Sequence, residues 1–143
     1  MYIKRIQIQN FRSIVNQDLE PSSLNLIVGD NDIGKSNILR ALNLFFNDET
    51  SFGQKFNFRQ DFAKNAITPK KKAPEIRIIL HFASPASYKE NREIIWTKKW
   101  RAHGLHIDEK KYSDGTELEG KRKVGFWLDQ LRFRYVPAIK GPF

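Results

Sequence analysis

The stretch GDNDIGKSN, residues Gly29 to Asn37, decides how the rest of the chain is read. Its Gly-x-x-x-x-Gly-Lys-Ser spacing is the Walker A pattern, which carries weight only between a strand and a helix. Upstream, SLNLIVG (23–29) is a short, nearly continuous apolar run closed by glycine, which predicts a strand buried on both faces. Downstream, KSNILRALNLFF (35–46) repeats Ile38, Leu42 and Phe45 at helical spacing, with Leu39 and Phe46 alongside. The predicted order is strand, loop, helix, so the motif stands in the context its chemistry needs.

That chemistry is phosphate binding. Gly29 and Gly34 let the backbone turn tightly, so that consecutive N–H groups point inward as an anion nest. The N-terminus of the following helix adds about half a positive charge. Lys35 supplies a mobile cation for β- and γ-phosphates, and the Ser36 hydroxyl is placed to ligate Mg²⁺. Asp30 and Asp32 look out of place beside a polyanion. Because the main chain does the holding, their side chains point away from it. Asp32 also suits a positive-φ turn position. Two further roles remain open for these carboxylates: capping backbone N–H groups, or facing a partner subunit across a shared nucleotide.

Outward from the loop, residues 2–11 place Tyr2, Ile6 and Ile8 opposite Arg5, Gln7 and Gln9, the signature of a strand with one wet face, ended by NFRSI. The helix stops at Asn47-Asp48-Glu49, and residues 48–74 form a long connection. Its Phe52, Phe56, Phe58 and Phe62 are expected to tuck into the core, while Lys70, Lys71 and Lys72 stay in water. EIRIILHFA (75–83) and REIIWTKKWRA (92–102) read as strands across the turn-rich SPASYKEN, an antiparallel hairpin, and the antiparallel portion is expected over 75–108. Asp114-Gly115 marks a turn, and RFRYVPAI (132–139) predicts one more strand.

The 143 residues suffice for one domain of common size, 40% are apolar and eleven are Phe, so a globular core is expected. No cysteine is present, which excludes disulfides, thiolate metal sites and thiol nucleophiles and fits a reducing, cytoplasmic setting. No apolar run approaches the roughly 20 residues of a membrane helix, and the N-terminus reads as a strand and not as a signal peptide. The net charge of +9 favours phosphate-bearing partners without choosing among them. In WTKKWRAHGLH (96–106), Trp96 and Trp100 alternate with Lys98, Lys99 and Arg101, three candidate DNA contacts. The same pattern fits a half-buried strand with Trp96, Lys98 and Trp100 on one face. His103-x-x-His106 lacks a nearby acidic pair and makes a poor metal clasp.

With NFRS (10–13) followed by GDNDIGKSN, the chain resembles the ABC-type ATPases of the SMC and RecF group, and within it the OLD (overcoming lysogenisation defect) family. The resemblance rests on Asn10, Phe11, Arg12 and Ser13, then Gly29, Asn31, Gly34, Lys35, Ser36 and Asn37. RYVPAIK (134–140) adds a strand-like segment; Asp32 departs from the Gly usual in SMC-like loops. It implies an α/β fold: the N-terminal lobe of an ABC-type P-loop head carrying an antiparallel β subdomain. It further implies ATP and Mg²⁺ as cofactors, Arg12 near the nucleotide, and pairing of ATPase heads in a homodimer or larger oligomer. Work on DNA in phage defence or repair is a family-level implication.

The family's Gln loop, Ser-Gly-Gly signature, Walker B strand ending in Asp-Glu and Toprim nuclease domain find no convincing match. GFWLDQ (125–130) offers Asp129, but Gln130 stands where Glu should be. Residues 1–143 are therefore expected to form a single ATP-binding lobe truncated before those motifs. Hydrolysis is not expected of this chain alone, since no group that orients the attacking water is visible. The competing reading is a non-catalytic DNA- or protein-binding module that keeps the loop as structure.

Overall fold

The computed structural model describes residues 2–21, 33–51, 53–83, 92–118 and 123–134. Within them, period-2 alternation builds a five-stranded antiparallel sheet in the order β2-β1-β5-β6-β7. The strands are β1 (Tyr2–Phe11), β2 (Ile14–Leu19), β5 (Ile76–Ala83), β6 (Ile94–Arg101) and β7 (Gly104–Tyr112). Between β2 and β5 come α1 (Ile33–Asn47), the small hairpin β3 (Glu49–Ser51) and β4 (Gln54–Lys55), and the single turn α2 (Phe58–Asp61); α3 (Lys123–Gln130) follows β7.

The two faces of the sheet differ as the sequence demands. Ile6, Ile8, Ile76, Ile78, Leu80, Phe82, Ile94, Trp96 and Trp100 point inward and are buried. The opposite face is a polar ladder. Arg5 donates to Asp18 at 2.7 Å, Gln7 meets His81 at 2.9 Å, Arg77 donates to Gln9 at 2.8 Å, and Arg101 donates to Glu75 at 3.1 Å. Arg5 holds the Asp18 carboxyl below its usual range through their hydrogen bond.

Helix α1 lies on the inner face and carries Ile38, Ala41, Leu42 and Phe45 into the core. Phe45 meets the Trp96 ring edge-on at 4.8 Å, and Phe46 lies 5.1 Å from Phe45. Asn43 and Leu44 are buried as well, so the second half of the helix is covered on more than the sheet side. Asp48, at φ 57°, takes the left-handed conformation that stops the helix. Lys98 reaches from β6 to donate to the carbonyl of Phe45 at 2.7 Å, satisfying an end carbonyl and complementing the helix dipole. Burial lowers the pKa of this half-buried ammonium.

The hairpin of β5 and β6 and the helix after the loop match the sequence reading, and Phe56, Phe58 and Phe62 pack against the core as expected. Four particulars differ. Tyr2 is 65% exposed, because an irregularity between Ile3 and Arg5 breaks the alternation and turns Ile3 toward the core instead. Strand β2 was not anticipated, since between Ile14 and Leu19 its sequence is mostly polar. GFWLDQ lies in a helix, in keeping with its poor match to a Walker B strand, and Asp129 pairs with Lys110 at 3.3 Å. Residues 132–134 are not strand, while 135–139 of that expected strand fall outside the described residues, as do the predicted strand 23–29, the turn-rich SPASYKEN, Phe52 and the Asp32 turn. The antiparallel portion is larger than 75–108, because β1 and β2 belong to the same sheet. No helix among the described residues is long and apolar enough to cross a membrane.

Phe45→Ala is expected to cost about 3–5 kcal/mol, since it empties a fully buried site between sheet and helix. Ile67→Ala, at a site 90% exposed, is expected to stay within roughly 0.5 kcal/mol. Denaturant unfolding of both variants checks the contrast, and equal costs would contradict this placement of the core.

Candidate nucleotide site

The motif's glycine-rich half, including Gly29, Asp30, Asn31 and Asp32, lies outside the described residues; its helical half is placed. Gly34, Lys35, Ser36 and Asn37 sit in the first turns of α1, with Gly34 exposed and Lys35 and Ser36 half-buried. Among the described residues a Cβ on Gly34 would meet nothing within 4 Å, so space is open beside the helix start.

Asn37 has a different environment. It is 5% exposed, its amide nitrogen donates to the Ser13 hydroxyl at 2.6 Å, and its carbonyl oxygen accepts from Arg40 at 3.1 Å. The residue after Ser36 thus latches the helix start to the turn between β1 and β2. The turn is tight, Phe11 pairing directly with Ile14, and unusual: Asn10 and Arg12 both adopt positive φ, 63° and 50°. Such conformations cost roughly 1–3 kcal/mol each in residues other than glycine and persist only where neighbours over-determine them.

Those neighbours are visible. The Arg12 N–H donates to the Asp61 carbonyl at 2.6 Å and the Ala63 N–H donates to the Asn10 carbonyl at 2.9 Å, with Phe11 and Phe62 bridged between them. The Asn10 amide donates to the Glu75 carbonyl at 2.9 Å. The Arg12 Nε donates to Asp61 Oδ1 at 3.0 Å, and its Nη2 lies 3.0 Å from the same oxygen. Asp61 is 1% exposed, and its Oδ2 accepts from the Asn57 N–H at 2.8 Å. Arg12 keeps a quarter of its side chain exposed.

The sequence-predicted site residues therefore divide. Arg12, Gly34, Lys35, Ser36 and Asn37 belong to one neighbourhood, joined through Ser13. Lys98, Lys99 and Arg101 do not form one surface. Lys98 is turned inward onto Phe45, whereas Lys99 and Arg101 face the polar ladder, 4.0 and 3.1 Å from Glu75. Lys98 is thus a helix-end contact and not a member of a shared basic patch. The rings of His103 and His106 are 5.3 Å apart, but no group of three or more metal-ligating side chains occurs among the described residues. Sequence reasoning missed Asp61. Its one signal was a lone acid among aromatic and basic neighbours in the long connection.

Residues 1–128 match the AAA ATPase domain family. The chain is 37% identical to an OLD nuclease of Thermus scotoductus over 97% of its own length and 29% of the relative's. It is 36% identical to the DNA replication and repair protein RecF of Agathobacter rectalis, covering 89% of this chain and 32% of that one. Endonuclease GajA of Bacillus cereus is 31% identical over 92% of this chain and 23% of its own length. A solved structure of the recombination mediator protein RecF gives a TM-score of 0.46 at 22% identity, over 82% of this chain and 28% of that chain. The chain thus spans about a quarter to a third of the length of these three relatives.

Asn37→Ala is expected to destabilise the protein by about 1–3 kcal/mol, because it strands the Ser13 hydroxyl and Arg40. Ser13→Ala added to Asn37→Ala should then cost little more. Fully additive losses in thermal melts would mean that the latch is not a unit.

Proposed function

The chain belongs to the AAA ATPase domain family, and from that premise we propose that it binds ATP with Mg²⁺ through the Walker A loop. The backbone of Gly29 to Gly34, Asn31 included, cradles the phosphates, Lys35 pairs with the β- and γ-phosphates, and Ser36 is the Mg²⁺ ligand. Arg12 supplies a second cation, and Asn37 keeps the turn that carries it against the helix. Mg²⁺, when bound, neutralises phosphate charge. The open space at Gly34 and the half-buried Lys35 and Ser36 on the first turn of α1 fit such a ligand. The observation that carries the reading is the Ser13 to Asn37 hydrogen bond, which brings the Arg12 turn to the start of the motif helix.

In this proposal residues 1–143 are the ATP-binding lobe of a longer ATPase. The signature and Walker B groups that orient water come from elsewhere, and ATP held here is hydrolysed only when heads pair. The similarity to proteins named as nucleases and as a replication and repair protein supports DNA as the macromolecular partner. The competing module that keeps its loop as structure predicts no response to nucleotide.

At ATP·Mg²⁺ one hundred times above Kd, the protein should gain about 2.7 kcal/mol, roughly 5–10 °C in Tm. Lys35→Ala should abolish the gain, and an equal gain in the variant would end the nucleotide reading. DNA affinity should fall steeply with salt, and Lys99→Gln with Arg101→Gln should flatten that slope; an unchanged slope removes Lys99 and Arg101 as DNA contacts.

A further inference from the structure

Asp61 is a nearly fully buried carboxylate in a protein with an excess of 9 positive charges. Burying an ionised group is costly unless its partners repay the lost hydration. Its two oxygens are divided. Oδ2 accepts from the Asn57 N–H at 2.8 Å, while Oδ1 accepts from Nε of Arg12 at 3.0 Å and has Nη2 at the same distance. A guanidinium is a planar fork with distinct edges. Asp61 holds one edge. Among the described residues no acceptor meets Nη1, and that edge belongs to a side chain still partly open to solvent.

The placement of the open edge is constrained. The backbone on both sides of Arg12 is fixed by the Asp61 carbonyl and by the Ala63 N–H, and Ser13 is bonded to Asn37 on α1. The fork therefore stands on a backbone held to the first turns of the helix that carries Lys35 and Ser36. A free arginine on an exposed turn would pay about 2 kcal/mol in rotamer entropy to meet an anion. One already held along its inner edge has paid most of that during folding.

We infer that Asp61 is a positioning residue for nucleotide binding: it locks Arg12 by one edge so that the opposite edge meets an oxyanion of the bound ATP. This rests on the ATP-binding reading and adds to it a residue from the 57–63 segment, which carries no phosphate-binding motif. Asp61 itself touches no phosphate. Its effect on affinity passes entirely through Arg12.

ATP·Mg²⁺ titrations of the unmodified protein, Arg12→Ala, Asp61→Asn and the double variant test this, each below its melting temperature with folding checked by circular dichroism. Arg12→Ala and Asp61→Asn should each weaken ATP about tenfold, the scale of one charged hydrogen bond. The double variant should be no weaker than Arg12→Ala alone. Unchanged or tighter binding by folded Asp61→Asn overturns the inference, tighter binding meaning that the carboxylate competes with the nucleotide for Arg12. Additive losses overturn it as well. If Asp61→Asn does not fold, Arg12→Lys decides: it keeps the charge and its reach to Asp61 but has no second edge. Loss as large as in Arg12→Ala supports the positioned fork, and full affinity overturns it. Lys35→Ala separates the two levels. Its failure to bind, beside unimpaired Asp61→Asn, leaves ATP binding standing and removes Asp61; absence of binding by the unmodified protein removes both.

Discussion

The turn from Asn10 to Ser13 is the constraint on which the arrangement depends. Two of its residues adopt a backbone conformation that L-amino acids avoid, and a turn so strained persists only where it is tied down. Here it is tied on three sides: to the Glu75 carbonyl through Asn10, to Asp61 and Ala63 through the main chain, and to α1 through Ser13. Asp61, far away in sequence, is buried because it completes this tie. Release of the turn would free the end of β1, leave a carboxylate buried without its cation, and detach the start of the motif helix.

The helix itself is fixed at both ends by side chains of the sheet layer. Asn37 meets Ser13 near its N-terminus, and Lys98 meets the Phe45 carbonyl near its C-terminus. Between them, Ile38, Ala41, Leu42 and Phe45 pack into an apolar core to which β1, β2, β5 and β6 contribute. Burial of these side chains supplies most of the stabilisation, at about 1.5–3 kcal/mol for each large residue, while the two polar contacts set where the helix sits along the sheet. The positive end of its dipole is thereby directed at the loop that precedes it. The other face of the sheet is a network of paired charges and amides, so the high net charge is partly neutralised there and does not amount to an open basic surface.

Much of this was legible in the sequence because it is periodic. The alternation of residues 75–83 and 92–102 gave the hairpin, and the spacing of Ile38, Leu42 and Phe45 gave the helix and its buried side. β2 was not legible, because an edge strand with only Ile14 and Leu19 buried carries too little apolar pattern to distinguish it from a loop. Tyr2 shares the alternation of Ile6 and Ile8 in the sequence yet is exposed, because one irregular residue reverses every side chain beyond it. At the site, Lys35, Ser36 and Asn37 were found through fixed local spacing. Asp61 follows from a contact 49 residues away in sequence, for which no local pattern exists. Lys98 was open to two readings, a nucleic-acid contact or a half-buried strand with Trp96, Lys98 and Trp100 on one face, and its bond to the Phe45 carbonyl agrees with the second.

The central claim is that the turn at Arg12, the start of α1 and the 57–63 segment form one nucleotide site. Hydrogen exchange of the protein with and without ATP·Mg²⁺ tests it most directly, because each segment is read separately. Slower exchange is predicted together in residues 10–13, 33–37 and 57–63, with the β6–β7 hairpin unchanged. Protection confined to 33–37, or absent from all three segments, would contradict it.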